Sequence, residues 1–148
     1  MPASLQRRLG GVLTWAAERA REGADRALEP LGLIGKHFVV MTFLRHETEH
    51  DQQGSSLSQQ AIGERLRIDR TTMVSLIDDL ERAGYVKRER NPADRRAYVI
   101  SLTAAGRRAQ ARAEKAVDAH ALHFFGPLSE AERQQLHGLL ARLIERRE

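Results

Sequence analysis

Residues 57–74 read LSQQAIGERLRIDRTTMV, and they carry the strongest indication of how the chain folds. Ser58 can cap a short helix that ends near Leu66, and Asp69 can cap the helix that follows. Apolar pairs at the spacing of a hydrophobic staple flank the two caps: Leu57 with Ile62, and Ile68 with Met73. Because only about three residues separate the two helices, the pattern predicts a helix-turn-helix.

The second of these helices is predicted to be the recognition helix, ending at Gly84, a natural left-handed C-terminal residue. Four apolar residues are expected to face the core: Met73, Val74, Ile77 and Leu80. Four polar residues occupy its first turns: Arg70, Thr71, Thr72 and Ser75. Such a helix start fits the major groove, and its N-terminus attracts phosphate. The alternative is an amphipathic surface helix that happens to begin with threonines.

A β-hairpin is predicted next, from the alternating segment 85–90, the turn NPADRR at 91–96 and the extended segment 97–102. Residues 87–96 hold five cations and two anions, a net charge of +3. A basic hairpin that follows a recognition helix is typical of a wing, whose tip can place arginine in the minor groove. Asp94 can hydrogen-bond Arg96 and fix its direction. The alternative is a solvated hairpin.

The charge distribution also indicates a nucleic-acid partner. The chain has 148 residues, 41% of them hydrophobic and 30% charged, with a net charge of +4. Residues 64–112 alone hold twelve cations and seven anions, a net charge of +5, so the rest is close to neutral. Arginine supplies 21 of the 24 cations, which suits phosphate and guanine recognition but is also what a GC-rich genome produces.

Several classes of protein are excluded or disfavoured. The chain has no cysteine, which removes disulfides and thiolate chemistry. Its longest apolar runs are too short to span a membrane, and no secretion signal is evident, so we expect a soluble, cytoplasmic protein. No Ser-His-Asp arrangement and no glycine-rich phosphate loop can be assembled, so we expect neither an enzyme nor a cofactor.

Helices are predicted on both sides of this block, over 4–28, 35–50 and 103–125, with a last one after the capping box at 129–132. The fold class is therefore mainly α with a small β-hairpin. The first helix and the last two are richer in leucine and alanine than a small winged helix needs for its own core. Burial of these stripes against a symmetric partner predicts a homodimer; the alternative is that they fold back in a monomer.

These motifs together resemble the MarR family of transcriptional regulators. The resemblance lies in residues 57–74, in IDDLERAGYV at 77–86, in NPADRR at 91–96 and in LTAAG at 102–106, and it covers nearly the whole chain. It implies one chain, 1–148, with a winged helix-turn-helix lobe at 35–103 and helical dimerisation regions at 1–30 and 104–148. It further implies a homodimer on pseudo-palindromic operator DNA, usually a repressor released by small, often aromatic or phenolic, ligands.

By position, the resemblance implies that the start of the recognition helix meets the major groove and that Arg96 meets the minor groove. The predicted DNA-binding set is Ser58, Arg67, Arg70, Thr71, Thr72, Ser75, Arg88, Arg90, Asp94, Arg95 and Arg96. Three departures matter. Arg67 stands where relatives often have glycine, and a left-handed arginine there would cost about 1 kcal/mol. Gly63 replaces a frequent alanine. Ser75 replaces a frequent arginine, so base preference cannot be transferred.

An effector crevice between the dimer helices and the DNA-binding lobe is also implied by the resemblance. The candidates by position are Trp15, His37, Phe38 and Met41. Trp15 can stack on an aromatic ring, and His37 can hydrogen-bond a phenolate or carboxylate. Core packing is the favoured alternative for Trp15, Phe38 and Met41, and exposure at a helix start for His37.

A competing motif is HETEH at residues 46–50, which matches the H-E-x-x-H signature of zinc proteases. No third ligand follows at the usual spacing, and the motif ends at a loop, so a small zinc metallohydrolase is a remote alternative. A metal-responsive regulator of the same fold stays open, with His120 and His123 joining His37. We predict no metal site, because solvated or packed histidines explain the pattern as well.

Overall fold

The computed structural model describes residues 7–50, 57–91 and 98–145, with residues 49 and 50 as backbone only. Six α-helices and a two-stranded antiparallel sheet make up these ranges, which confirms the predicted fold class. The helices are α1 (Leu9–Leu28), α2 (Gly35–His50), α3 (Gln59–Leu66), α4 (Arg70–Arg82), α5 (Ala104–Phe124) and α6 (Glu130–Glu145), and the strands are β1 (Val86–Arg90) and β2 (Tyr98–Leu102).

The predicted helix caps are confirmed. Ser58, Asp69 and Thr103 each accept a hydrogen bond from the backbone N–H three residues later, at the starts of α3, α4 and α5. Ser129 and Glu132 form the predicted capping box before α6, since the Glu132 carboxylate accepts the Ser129 N–H at 2.8 Å. Each cap satisfies a backbone donor that would otherwise have no partner.

The chain makes a tight turn between α1 and α2. A 3₁₀ turn at Glu29–Leu31 follows α1, and Gly32 ends it in the left-handed region at φ 67°. The Asp25 carboxylate then accepts the backbone N–H of Gly35 at 2.7 Å, so α1 supplies a cap for α2. This cap fixes the corner between the two helices.

One core lies between the helix-turn-helix, the hairpin and the first half of α5. Its fully buried side chains include Met41 and Leu44 from α2, Ile62 from α3, Ile77 and Leu80 from α4, and Ala113 from α5. Gly106 lets α5 approach the hairpin, because a Cβ there would lie 1.9 Å from the Tyr85 carbonyl oxygen. This contact packs α5 against the segment that joins α4 to the wing.

The terminal helices keep large apolar side chains in the open. No residue of α6 is buried over Glu130–Glu145 as the structure describes it. An apolar groove between α6 and the start of α1 includes Leu9, Leu13, Phe124, Leu136 and Leu140. Leu139, Leu143 and Ile144 are 50%, 60% and 80% exposed.

No single helix of the described ranges is long and apolar enough to cross a bilayer. Taken together, Leu9–Leu31 and Gly35–Thr48 have the length and apolar composition of a membrane span, but the two segments are bent by 78° relative to each other.

Candidate nucleic-acid interface

The start of α4 is exposed and well ordered by its cap. The Asp69 carboxylate accepts the Thr72 N–H at 2.9 Å, and the Thr72 hydroxyl and N–H lower the pKa of Asp69 below its usual range. The helix N-terminus therefore already has an anion beside it. The Asp69 cap is the predicted one, and attraction of phosphate to this helix start stays a prediction, with the side chains of the first turns as additional binding groups.

The exposed face of α4 follows from its 100° step per residue. Buried Met73, Leu76, Ile77 and Leu80 define the inner face. On the opposite side, Thr71 and Ser75 are exposed, Arg70 lies beside them, and Thr72 is half-buried at the edge. The predicted major-groove residues thus lie on or beside one outward surface.

Val74 was expected in the core, and this expectation is wrong. Val74 is 39% exposed, while Leu76 takes the inner position and is 4% exposed. The reason is angular: Leu76 is about 200°, just over half a turn, from Val74, so the buried stripe through Met73, Ile77 and Leu80 includes Leu76 and excludes Val74. Val74 therefore adds two methyl groups to the outward surface.

Arg67 lies in the turn with the left-handed conformation anticipated for it, at φ 54° and ψ 40°. It is the one non-glycine residue with positive φ in the described ranges. Its exposed side chain lies next to the start of α4. A Cβ on Gly63 would lie 3.1 Å from the Ile68 carbonyl oxygen, so α3 approaches this turn closely.

The wing strands pair in register from Val86 with Leu102 to Arg90 with Tyr98. The Arg90 guanidinium lies over the Tyr98 ring, 5.6 Å from its centroid. Arg88 contacts the carboxylates of Asp78 and Glu81 on α4, and its side chain is 23% exposed. The three predicted residues at the wing tip, Asp94, Arg95 and Arg96, lie outside the described residues.

The effector candidates have different surroundings. Trp15 on α1 is 42% exposed, whereas Met41 on α2 is fully buried in the core. Phe38 is half-buried and packs against that core. His37 is 7% exposed, not on the surface, and its Nε2 lies 3.7 Å from Asp79 on α4. His37 thus contacts the recognition helix, which sequence periodicity within α2 cannot reveal.

The histidine motif is not arranged as a protease site in the part that can be described. Glu47 forms an ion pair with Arg65 of α3, so its carboxylate is engaged. The side chain of His50 lies outside the described residues. His120 Nε2 lies 3.2 Å from the Ala20 carbonyl oxygen, and the ring packs on Gly23. No group of three potential metal ligands occurs among the described side chains.

A polar network between α2 and α5 was missed by the sequence reasoning. Arg45 donates to the Gln110 side chain at 2.7 Å and to Glu114 at 3.2 Å. Gln110 is 1% exposed and donates to the Thr42 hydroxyl at 3.3 Å. The only signal was a glutamine within the predicted apolar stripe of a helix.

A helix-turn-helix followed by a two-stranded wing against its second helix defines a winged helix-turn-helix protein, an architecture used by DNA-binding regulators. Comparison with known proteins agrees. A family model described as "MarR family" matches residues 31–97. The putative transcriptional regulatory protein for the hcr operon of Thauera aromatica is 41% identical over 87 residues, which are 59% of this chain and 52% of that protein. The chain spans about half the length of the curated relatives it matches.

Solved structures match over almost the whole chain. The transcriptional repressor CouR bound to a 23-mer DNA duplex has a TM-score of 0.84 at 30% identity, with 97% of this chain and 96% of that chain covered. CouR from Rhodococcus jostii RHA1 bound to p-coumaroyl-CoA has a TM-score of 0.78 at 24% identity over 99% of each chain, a likeness of fold alone. The chain belongs to the MarR family. Its predicted class, a transcriptional regulator and not an enzyme, is confirmed.

Proposed function

We propose that this protein is a homodimeric, sequence-specific repressor that binds a pseudo-palindromic operator and releases it when a small aromatic or phenolic ligand binds. The observation that carries the proposal is the outward surface of α4, where Arg70, Thr71 and Ser75 lie together above a rigid apolar inner face. These groups can donate to phosphates and read base edges in the major groove. CouR, solved with DNA, supplies the precedent.

Every predicted DNA contact except Arg88, which is paired with Asp78 and Glu81 on α4, has a place in this proposal. Arg70, Thr71, Thr72 and Ser75 enter the major groove, while Ser58 and Arg67 meet the flanking phosphates. Arg90 and the wing-tip residues Asp94, Arg95 and Arg96 serve the minor groove, as the sequence predicts. The lobe 35–103 carries these contacts, and the regions 1–30 and 104–148 form the dimer. The protein then acts in the cytoplasm, where bacterial operator DNA is located.

The ligand part of the proposal rests on the junction between the helical region and the DNA-binding lobe. Half-exposed Trp15 on α1 offers a stacking surface, and His37 and Phe38 lie at the start of α2, which contacts α4. CouR has been solved with p-coumaroyl-CoA, an aromatic ligand. A ligand that displaces α2 favours dimers whose recognition helices no longer match the half-site spacing.

Selection from a random pool of duplex DNA tests the DNA-binding proposal. The purified full chain should enrich an inverted repeat with half-sites about one helical turn apart, roughly 34 Å. Its affinity for the selected duplex should fall steeply with salt, since each phosphate contact adds about 0.9 to the slope of log K against log salt. No enrichment, or an affinity that ignores salt, would contradict it. Release of the selected duplex by simple phenolic acids and their CoA thioesters then tests the ligand response.

A further inference from the structure

Arg88 lies between the wing and the recognition helix and is engaged on both sides. It occupies the middle of β1, and its guanidinium contacts the carboxylates of Asp78 and Glu81 on α4. Its Nη2 also lies 3.4 Å from the Gln59 side-chain oxygen at the start of α3. One side chain therefore connects a strand with both helices of the helix-turn-helix.

The sheet register directs Arg88 toward these helices. Arg88 is paired with Ile100, and directly opposed residues share one face of an antiparallel pair. Ile100 is 2% exposed, so this face of the hairpin is the inner one. The backbone N–H of Ile100 also donates to the carbonyl of Leu57, just before α3, at 2.9 Å. The hairpin is thus attached by β2 to α3 and by Arg88 to α4.

The charges favour a bridge over a free phosphate ligand. Although partial burial works in the opposite direction, Asp78 and Glu81 raise the pKa of Arg88. The planar guanidinium reaches both carboxylates at once, which a lysine ammonium does with poorer geometry. To bind phosphate, Arg88 would have to leave two anions uncompensated on α4, beside the DNA.

We propose that Arg88 is a positioning residue that fixes the angle of the wing relative to the recognition helix through Asp78 and Glu81, and that it does not bind phosphate itself. This inference rests on the proposed function, because the angle matters only if both elements meet one duplex. It assigns Asp78 and Glu81 to the same role, although negative residues near DNA are ordinarily unfavourable.

The decisive variant is Asp78→Asn with Glu81→Gln. It makes the protein more positive, so electrostatics alone predicts tighter binding of the selected duplex. Loss of the bridge predicts instead a loss of affinity of about five- to tenfold, the fold-change expected for two partly exposed ion pairs. Arg88→Lys should show a similar loss. Glu89→Gln is the matched control, since Glu89 pairs with Lys87 on the same strand and should bind as well as wild type or better.

A readout of wing position separates this role from general stability. In hydroxyl-radical footprints, the two bridge variants should lose minor-groove protection at the outer edges of the site and keep protection of the central half-sites. Thermal unfolding identifies any variant that fails to fold, and Glu81→Gln alone then replaces the double variant. Equal or tighter binding by Asp78→Asn with Glu81→Gln, or wild-type binding by Arg88→Lys, overturns the inference. If the wild-type chain itself selects no duplex, the proposed function fails first.

Discussion

His37 Nε2 lies 3.7 Å from Asp79 Oδ2, so the first turn of α2 contacts the C-terminal half of the recognition helix. On the other side of the ring, Nδ1 accepts the backbone N–H of Ile34 at 3.3 Å. This acceptor role requires an unprotonated Nδ1, which places the proton of the neutral ring on Nε2, facing Asp79. His37 thus caps its own helix and contacts α4 at the same time.

The neutrality of His37 predicts a pH dependence of stability. Burial lowers the pKa of His37 below 6.5, with Asp79 opposing this shift. At pH values between the lowered pKa of folded His37 and its ordinary pKa of 6.5, the unfolded chain binds more protons than the folded chain. The free energy of unfolding is therefore fully retained well above pH 6.5 and falls as the pH drops below it. Urea unfolding at about pH 7.5 and about pH 5.5 measures the loss. His37→Gln can still accept the Ile34 N–H but does not titrate, so its loss should be smaller; an equal loss would contradict the assignment.

Arg67 is predicted to lower stability while supporting DNA binding. Replacing this left-handed residue by glycine should raise the free energy of unfolding by about 1 kcal/mol, because glycine has no Cβ to strain. Losing the guanidinium should weaken operator binding and lower its salt dependence. Arg67→Ala is the control, since it removes the charge but retains the strained conformation. Denaturant unfolding and fluorescence anisotropy should show weaker binding by both variants and a stability gain for glycine alone. Unchanged binding by both would remove Arg67 from the interface.

Val74 is predicted to recognise a thymine methyl group. Its exposed position beside Thr71 and Ser75 places two methyls on the surface that enters the major groove, where thymine presents its C5-methyl. Replacing thymines of the selected half-site one at a time by deoxyuridine should locate a position that costs about 1 kcal/mol, roughly the value of one buried methylene. In Val74→Ala this cost should disappear, because the partner is gone. A full cost in both proteins at every thymine would exclude the contact.

Gly106 is predicted to be essential for seating the wing. An added Cβ would lie 1.9 Å from the Tyr85 carbonyl oxygen, a backbone atom that cannot move without shifting the hairpin. The Thr103 hydroxyl, which donates to the Gly84 carbonyl at 2.7 Å, fixes the same junction. Gly106→Ala should therefore destabilise the protein by about 1–3 kcal/mol, the range for overpacking. Ala104→Ser, an exposed change in the same turn, is the control for thermal or urea unfolding. Equal stability of the two variants would be inconsistent with this contact.

Local rules in the sequence account for much of the fold and for part of the site. The caps at Ser58 and Asp69 depend on residues within one helical turn, so spacing and residue type were sufficient to predict them, whereas the left-handed turn at Arg67 was anticipated from the family resemblance. Other contacts join residues that are distant in sequence or lie on different elements. They are the bridge from Arg88 to α4, the Asp25 cap on Gly35 and the hydrogen bond from Arg45 to buried Gln110. These contacts depend on how the elements pack in three dimensions, which local sequence patterns do not specify. Val74 was misassigned because an apolar residue beside a buried stripe carries no signal of which edge it occupies.

The apolar side of α6 is predicted to be covered by a second copy of the chain. Leu139 and Leu143 are half-exposed or more, and their side of the helix adjoins the groove with the start of α1. Covering this surface with a second copy would remove it from water, at about 25 cal/mol per Å² of apolar area. Leu143→Glu places a charge there and should convert a dimer to a monomer in light scattering, with a large loss of operator affinity because the half-sites are no longer bound together. Gln134→Glu adds the same charge on the opposite side of α6, where Gln134 is exposed, and should leave both properties unchanged. A wild-type monomer, or a Leu143→Glu dimer with full affinity, would require another occupant for this surface.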